Sequence, residues 1–517
     1  MKLSELLTGL EYISNRDMDQ LKECEIDNIC YDSRKARKNG IFVAIKGETV
    51  DGHKYVDSAY QKGCRVFVVN DNMDLSDDAI MIIVDDSRNC LSHISANFFG
   101  NPSKELKVIG VTGTKGKTTI TNYLGSVLTK SGLNTGVIGT NGVFYNDYAG
   151  KTINTTPESY ELHKTIREMV DAGVRCVAME VSSGGLMMER VNHVDFDIGI
   201  YTNLSPDHIG PKEHPTFEDY RDCKSRLFAL CRHGIINIDD DHASYMIDKA
   251  TCDIETFSIK KPSDYRAEDI SLTRTQTSLG VDFKYIRNGQ PTQTHIASPG
   301  EFSVYNALAV IATSNYLGID KAKMLSALAT AQVDGRVEVI PSIPNITVVL
   351  DYAHNGVSLE NVLETLLKYK PSRLICVFGS IGGRSALRRK ELGDVAAKLC
   401  DIAILTTDNP DDEDPMEIIN DIEESFVDSK CQVLKIVDRS QAILKGIEIA
   451  QPGDMVIVAG KGHEKYQIIH GERVFYDEKA EIQKVIKSVY RNVQLRKKVY
   501  RGRQIPFKGW RRVKGRA

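Results

Sequence analysis

A chain of three α/β domains is what this sequence predicts, and three observations carry the prediction. Its 517 residues exceed what one hydrophobic core organises, at about 100 to 200 residues per domain. Two regions alternate short apolar runs with helical patterns, the signature of doubly wound sheets. In the first the runs are KVIGVTG, NTGVIGT, CVAMEVSS, DIGIYTNLS and GIINIDDD; in the second they are TVVLDYAHN, LICVFGS, IAILTTDNP and DMVIVAGKGHE. Nearly every run ends in polar residues. Ligands of open α/β sheets sit beyond the carboxyl ends of the strands, so these endings are where chemistry is expected.

The elements are taken in chain order. Shorter runs, GIFVAI, CRVFVV and IMIIVDD, give a small N-terminal domain over 1–103. A central domain comes next over 104–333 and includes the apolar helix pattern ASPGEFSVYNALAVIATSNYLG; a C-terminal domain spans 334–488. The tail, 489–517, reads as a disordered extension. From Arg491 onward it holds eleven Lys or Arg and no acid, which leaves −15 on the rest of a chain whose net charge is −4. Its Tyr500, Phe507 and Trp510 interleave with the cations, a pattern that could bind an anionic surface. No specific nucleic-acid partner is expected, and the protein is expected to act as a monomer. The opening MKLSELLTGLEYI lacks a signal-peptide core and no run nears the roughly 18 apolar residues of a membrane span. A cytoplasmic protein is the expectation. Eleven scattered cysteines without a C-x-x-C pair fit buried reduced thiols.

The stretch VTGTKGKTT, 111–119, reads as a shortened phosphate-binding loop between strand and helix. Gly113 and Gly116 let the backbone turn so that its N–H groups, those of Thr114, Lys115 and Thr119 included, face phosphate oxygens at a helix start. Lys117 would neutralise the β- and γ-phosphates of ATP, and Thr118 would place a hydroxyl on Mg²⁺. A carboxylate and an imidazole facing this loop from the next strand endings could hold a second Mg²⁺, which makes Glu180 the first candidate, with Asp207, His208 and His214. Asn237, Asp240 and Asn306 offer amide and carboxylate groups suited to adenine or ribose. Lys224, on a helical pattern, reads on its own as a solvated charge.

The loop TGTKGKTT and these endings together resemble the Mur ligase family, ATP-dependent ligases that add amino acids to the muramoyl peptide of cell-wall precursors. The resemblance runs from about Tyr31 to Glu478 and is closest to the members that add the third residue. It implies three domains that bind UDP, ATP and the incoming amino acid in turn. It implies Glu180 and His208 as metal ligands, and Lys224 as a carbamylated lysine that would join them. It assigns Arg336 to the ATP phosphates, and Asp351 and His354 to closing the site. Ser33 and His53 would meet the uridine diphosphate, with Arg34 fixing that domain, while Thr155, Thr156, Ser183 and Arg190 would hold the muramoyl peptide. Two departures stand out: Gly184 where the family usually has histidine, and Gly356 where DYAHNP has proline, read as a looser turn.

Three endings of the last domain, GSIGGRSALRR, TTDNPDDEDP and GKGHEKYQ, should form the amino-acid pocket. Arg384 is the expected carboxylate anchor, with Arg388 or Arg389 able to substitute, beside Asp408, Asn409, Asp411, Gly460 and Glu464. Members that add meso-diaminopimelate usually carry DNPR, whose arginine would fork onto the distal carboxylate. Asp411 stands there instead and favours an ammonium, hence L-lysine; GKGHE with Glu464 points the other way. The expected activity is amide formation between the D-glutamate γ-carboxylate of UDP-N-acetylmuramoyl-L-alanyl-D-glutamate and a diamino acid, through an acyl phosphate, with the balance toward L-lysine. Catalysis would rest on Lys117, Glu180, His208 and Lys224. The alternatives are the next ligase of the same series, a folylpolyglutamate-type ligase, and a nucleotide-dependent RNA-binding protein led by the tail.

Overall fold

The structure, a computed structural model, describes residues 1–47, 50–207, 209–210, 213–275, 278–331, 335, 337–383 and 386–502, with backbone alone at 386 and 492–502. It divides into two compact units, one of residues 1–270, 283–296 and 301–331, the other of residues 271–282 and 297–300 together with the chain beyond 331.

The first unit begins with a five-stranded sheet in the order Ile13–Ser14, Ile80–Ile83, Val66–Val69, Gly40–Val43, Asn28–Cys30, parallel except at its first pair. Both faces are covered, which is why its strands read as continuous apolar runs. Ile41, Val43, Val66 and Val68 pack on one side with Leu3, Leu6, Leu91 and Ile94. Phe42, Phe67 and Val69 pack on the other with Val56 and Ala59.

The large sheet of this unit has Lys107–Thr112 at its centre, flanked in parallel by Phe196–Tyr201 and Cys176–Glu180. Cys231–Asn237 and Thr135–Gly139 extend the parallel set on either side. Five carboxyl ends therefore share one edge, and Thr112, Glu180, Thr202, Asn237 and Thr140 come together there. Gly110 admits this packing, since a Cβ would lie 2.8 Å from the Phe196 ring. Hairpin strands not anticipated from the sequence, Gly142–Tyr145 and Tyr148–Gly150, extend one end; Tyr265–Arg274, Leu279–Arg287 and Gln290–Ile296 extend the other. The helix Glu301–Tyr316 buries Val304 and every residue from Asn306 to Ser314.

The second unit holds a six-stranded sheet in the order Glu338–Ile340, Thr347–Asp351, Met455–Ala459, Leu374–Phe378, Ile402–Leu405, Gln432–Lys435, antiparallel only at the first pair. The helix Glu478–Gly502 buries Ile482, Val485, Ile486 and Val489 in the core of one sheet face, and its backbone runs past residue 488, where the sequence pattern starts the tail. At its first turn Glu478 pairs with Arg439, both buried. Arg439 also donates to the carbonyls of Thr407 and Ala459, fastening two strand endings. Among the described residues no helix is long and apolar enough to cross a membrane.

Candidate functional site

The loop after Lys107–Thr112 is held by the ending of the neighbouring strand. Thr202 Oγ1 donates to the Lys115 carbonyl at 2.7 Å, and Asn203 Oδ1 accepts from the Lys115 N–H at 3.0 Å. The Asn203 carbonyl accepts from Thr114 N–H at 2.9 Å. Gly113, at φ +141°, has no room for a side chain because a Cβ would fall 1.9 Å from Thr202 Oγ1. Gly116, at φ +92°, caps the helix Lys117–Lys130 in the left-handed region that favours glycine, and a Cβ there would lie 3.0 Å from Asn306 Oδ1. Thr118 and Thr119 come next in the first helical turn, while Lys115 is exposed. Thr202 and Asn203 are functional residues that sequence reasoning missed, being neutral groups whose role exists only across two strands.

Two lysines converge on this loop. Lys117 Nζ donates to the carbonyls of Gly113 at 2.8 Å and Thr114 at 3.0 Å. Lys224 Nζ, 1% exposed, donates to the same Gly113 carbonyl at 3.0 Å. Lys224 lies on the helix Phe217–Ser225, which Thr216 caps. Burial, and after it the Lys117 charge, hold the Lys224 amine well below the ordinary lysine value. Burial also lowers Lys117, against the pull of Glu180 and Asp207.

Facing the lysines, Glu180 is buried at a strand ending and accepts from Thr118 Oγ1 at 3.0 Å and Thr140 N–H at 2.8 Å. Thr156 Oγ1 donates to the Glu180 carbonyl at 2.9 Å and accepts from Ser182 N–H at 3.0 Å. Thr155 and Thr140 share a hydroxyl contact at 3.0 Å. Ser183 is buried, and its carbonyl accepts from the Cys223 thiol. Arg190 Nη1 donates to the Thr156 carbonyl at 3.2 Å, and Arg190 Nε pairs with Glu158 at 3.1 Å, which also takes Arg88 at 3.2 Å. A loop, two lysines, a carboxylate and a threonine cluster thus share one sheet edge.

Other expected residues have their polar groups engaged. Asn237 donates to the Thr202 carbonyl at 2.8 Å. Asp240 accepts from Tyr201 OH at 2.6 Å, Leu204 N–H at 2.9 Å and His242 N–H at 3.0 Å. These two brace the 202–205 turn from beneath. His214 is buried and pairs with Asp219 at 2.7 Å, while Asp207 is exposed. His53 uses both ring nitrogens: Nε2 accepts from Asn70 N–H at 3.1 Å, so Nδ1 carries the hydrogen toward Asp51 at 2.7 Å. Its ring fixes the turn Gly52–Tyr55 and has no free nitrogen for a uridine diphosphate. Arg34 folds onto Asp32, and Ser33 opens the short helix that Asp32 caps. His208, Arg336 and Arg384 lie outside the described residues.

In the second unit a buried ammonium organises three strand endings. Lys461 Nζ, fully buried, donates to Asp408 at 3.2 Å, Asn409 at 2.8 Å and Glu464 at 3.5 Å. Gly460, at φ +123°, leaves room for Asp408, whose Oδ2 would stand 2.5 Å from a Cβ. Asn409 Oδ1 also takes Ile468 N–H, which docks the hairpin Tyr466–Ile469 and Glu472–Phe475 onto the pocket. Asp411, at φ +55°, accepts from Gly471 N–H at 2.8 Å and belongs to the same docking. Asp351 accepts from Val337 and Ala353 N–H, both at 2.7 Å, and His354 Nδ1 lies 2.8 Å from the Tyr352 carbonyl. Arg388 Nε donates to the His354 carbonyl, and Arg389 is clamped between Glu413 and Asp421. Arg389 is therefore not available to replace Arg384 as a carboxylate anchor.

Comparison with known proteins decides the family. The Mur ligase middle domain matches residues 111–314, the Mur ligase glutamate ligase domain 335–462, and the Mur ligase family catalytic domain 25–99. The UDP-N-acetylmuramoyl-L-alanyl-D-glutamate–2,6-diaminopimelate ligase of Clostridium perfringens is 39% identical over 93% of this chain and 98% of its own. This chain belongs to the Mur ligase family. The enzyme of the same description from Clostridium tetani is 39% identical, over 95% of this chain and 100% of its own. A solved structure of a UDP-N-acetylmuramoyl-L-alanyl-D-glutamate–2,6-diaminopimelate ligase superposes with a TM-score of 0.73 at 27% identity, covering 95% of this chain and 99% of that one.

As a Mur ligase the protein is an ATP-dependent, amide-forming enzyme of cell-wall synthesis, and the structure accounts for one of its two departures from the family pattern, Gly356, while nothing in it explains Gly184. Gly356 is the first residue of the helix Gly356–Leu367, capped by Asn355. A Cβ there would lie 2.8 Å from Glu391 Cβ, so the glycine permits a close approach of two helices and not the looser turn read from the sequence. Gly184 lies in the short helix Ser183–Met187, with nothing within 4 Å of where a Cβ would stand.

Proposed function

We propose that this Mur ligase joins the D-glutamate γ-carboxylate of UDP-N-acetylmuramoyl-L-alanyl-D-glutamate to 2,6-diaminopimelate. The observation that carries the reading is the convergence of Lys117 and Lys224 on the Gly113 carbonyl, opposite Glu180. A carboxylate oxygen would attack the γ-phosphorus of ATP as the bond to ADP breaks, giving an acyl phosphate. The incoming amine would then attack the acyl carbon and expel phosphate. Lys117 neutralises charge on the transferring group. Two ammonium groups on one carbonyl repel each other, which favours a neutral Lys224 amine. Such an amine adds to CO₂ and becomes a carbamate, turning a cation into an oxygen ligand. Thr118, Glu180 and a carbamylated Lys224 supply the hydroxyl and carboxylate oxygens that Mg²⁺ prefers, and when bound the ion would neutralise phosphate charge. We assign the muramoyl peptide to the neighbourhood of Thr155, Thr156, Ser183 and Arg190, where Thr156, Ser183 and Arg190 would act by fixing the wall of the site, since Thr156 and Ser183 are buried and Arg190 pairs with Glu158.

Diaminopimelate replaces the L-lysine expected from the charge of Asp411, because the relatives are named for it and because the Asp411 carboxylate is committed to the Gly471 N–H. Of the cations described around the pocket, Lys461, Arg389 and Arg439 are bound to carboxylates, and Arg388 is turned onto the His354 carbonyl. Arg473 lies on the docked hairpin, its guanidinium 4.5 Å over the Tyr466 ring, and is exposed with no ion pair among the described residues. We assign the distal carboxylate of the substrate to it. Product mass with meso-diaminopimelate, L-lysine and L-ornithine in competition tests the reading, and the diaminopimelate product should dominate. Arg473→Ala should raise KM for meso-diaminopimelate by about 10- to 100-fold and leave any slow L-lysine reaction unchanged. Dominance of the lysine product would refute the amino-acid assignment.

A further inference from the structure

Two thiols face each other on the first unit, at the sheet edge opposite the phosphate loop. Cys231 opens the strand Cys231–Asn237, and Cys252 directly precedes the neighbouring parallel strand Asp253–Ser258. Their sulfurs are 3.6 Å apart. The main chain sets this approach, since Thr251 N–H donates to the Phe228 carbonyl at 3.2 Å and His233 stands opposite Asp253 in the strand register. Cys231 packs on Gly199, where a Cβ would lie 2.8 Å from its sulfur; Cys252 packs on Gly234, at 3.4 Å. Of the eleven cysteines, all free, nine are buried and only Cys24 and Cys252 are partly open to solvent. Cys252 is thus the one accessible thiol with a second thiol in contact.

We propose that Cys231 and Cys252 form a redox site, closing to a reversible disulfide when the protein meets a hydroperoxide. The Cys252 thiolate would attack a peroxide oxygen, giving a sulfenic acid as hydroxide or water leaves. The Cys231 thiol then attacks the sulfenic sulfur, forming the S–S bond and releasing water, so that two thiols and one H₂O₂ give one disulfide and two H₂O. A disulfide is about 2.05 Å long, so the sulfurs close by turning the partly exposed Cys252 side chain. The contact with Cys231 holds the Cys252 thiol below the ordinary thiol value. Closure would cross-link the ends of the 231–252 segment, which carries Asn237 and Asp240 and so the brace under the 202–205 turn. Cross-linking restricts the unfolded chain and should stabilise this unit. The other thiol pair in contact, Cys376 with Cys400, is buried on both sides and serves as an internal control.

The test treats the full chain with a small molar excess of hydrogen peroxide, blocks free thiols, and maps peptides by mass. A 231–252 cross-link, two hydrogens lighter, is expected, with Cys376 and Cys400 still alkylated. The thermal midpoint should rise by a few degrees, and dithiothreitol should reverse both changes. Because Cys231 is buried and its replacement could disturb folding, the control is Cys252→Ser, which should abolish the midpoint rise and leave Cys231 reduced. Cys252 found as a sulfinic acid beside an alkylated Cys231, a peroxide-induced midpoint rise that persists in Cys252→Ser, or no reaction at either thiol would overturn the proposal.

Discussion

Replacing Lys224 with alanine abolishes ligation, by about 100-fold or more, and short carboxylic acids such as acetate or propionate restore part of it. The side chain is 1% exposed and its amine shares the Gly113 carbonyl with Lys117. A plain buried lysine in that position would set two cations on one carbonyl with Glu180 as the buried carboxylate facing them, whereas a carbamate there adds an anion beside Lys117. The alanine variant removes the side chain that lies against Gly113 and Tyr220, and rescue is expected from a small carboxylate that takes its place. The pH dependence comes from the same group. With its folded pKa below the unfolded value of 10.5, the unfolded chain binds more protons than the folded one between the two values. The unmodified amine therefore makes folding less favourable as pH falls through that window. Carbamylation removes this effect, so stripping dissolved CO₂ should lower both activity and the thermal midpoint at neutral pH. Loss of activity without carboxylate rescue, in a variant that still binds ATP, would show that Lys224 acts as a cation.

Glu180→Gln should cost about 100- to 1,000-fold in kcat with little change in thermal midpoint. The amide oxygen can still accept from Thr140 N–H and Thr118 Oγ1, which now meet the carboxylate at 2.8 and 3.0 Å. What the substitution removes is the charge opposite the two lysines. There is no space at this point for compensation by a moved backbone: Gly139 is glycine because a Cβ would lie 2.4 Å from Glu180 Oε1. A large fall in stability with a proportionate fall in activity would instead make Glu180 a structural residue, and unchanged turnover would remove it from the reaction altogether.

The sequence points to the sheet edge where Lys117 and Glu180 meet because apolar runs buried on both faces, each ending in polar residues, are a local and legible pattern; Lys224, on a helix, reads on its own as a solvated charge, and its 1% exposure corrects that reading. Thr202 and Asn203 are not legible in that way although they lie in one of those endings. They are neutral, and their work consists of hydrogen bonds to a loop some ninety residues away in the chain. Asn237 and Asp240 are legible as polar groups at a strand end but not as braces, since the Thr202 carbonyl, the Tyr201 hydroxyl and the Leu204 N–H that they hold lie 35 to 39 residues earlier in the chain, on a neighbouring strand and the turn after it. The strand Tyr265–Arg274 is hidden by its polar composition, as most of its side chains are only partly buried. Gly356 invites a local explanation, a missing proline, where the cause is the approach of a second helix. Asp411 invites an electrostatic one, where the left-handed backbone and the Gly471 contact show a turn residue.

The most direct test of the account is the fate of oxygen in the acceptor carboxylate. UDP-N-acetylmuramoyl-L-alanyl-D-glutamate labelled with ¹⁸O in the γ-carboxylate should, with ATP and diaminopimelate, release inorganic phosphate carrying one ¹⁸O, read as an isotope shift in the ³¹P spectrum, in step with formation of the amide. Phosphate released without label, at a rate matching product, would contradict an acyl phosphate and with it the role assigned to the loop, the two lysines and Glu180.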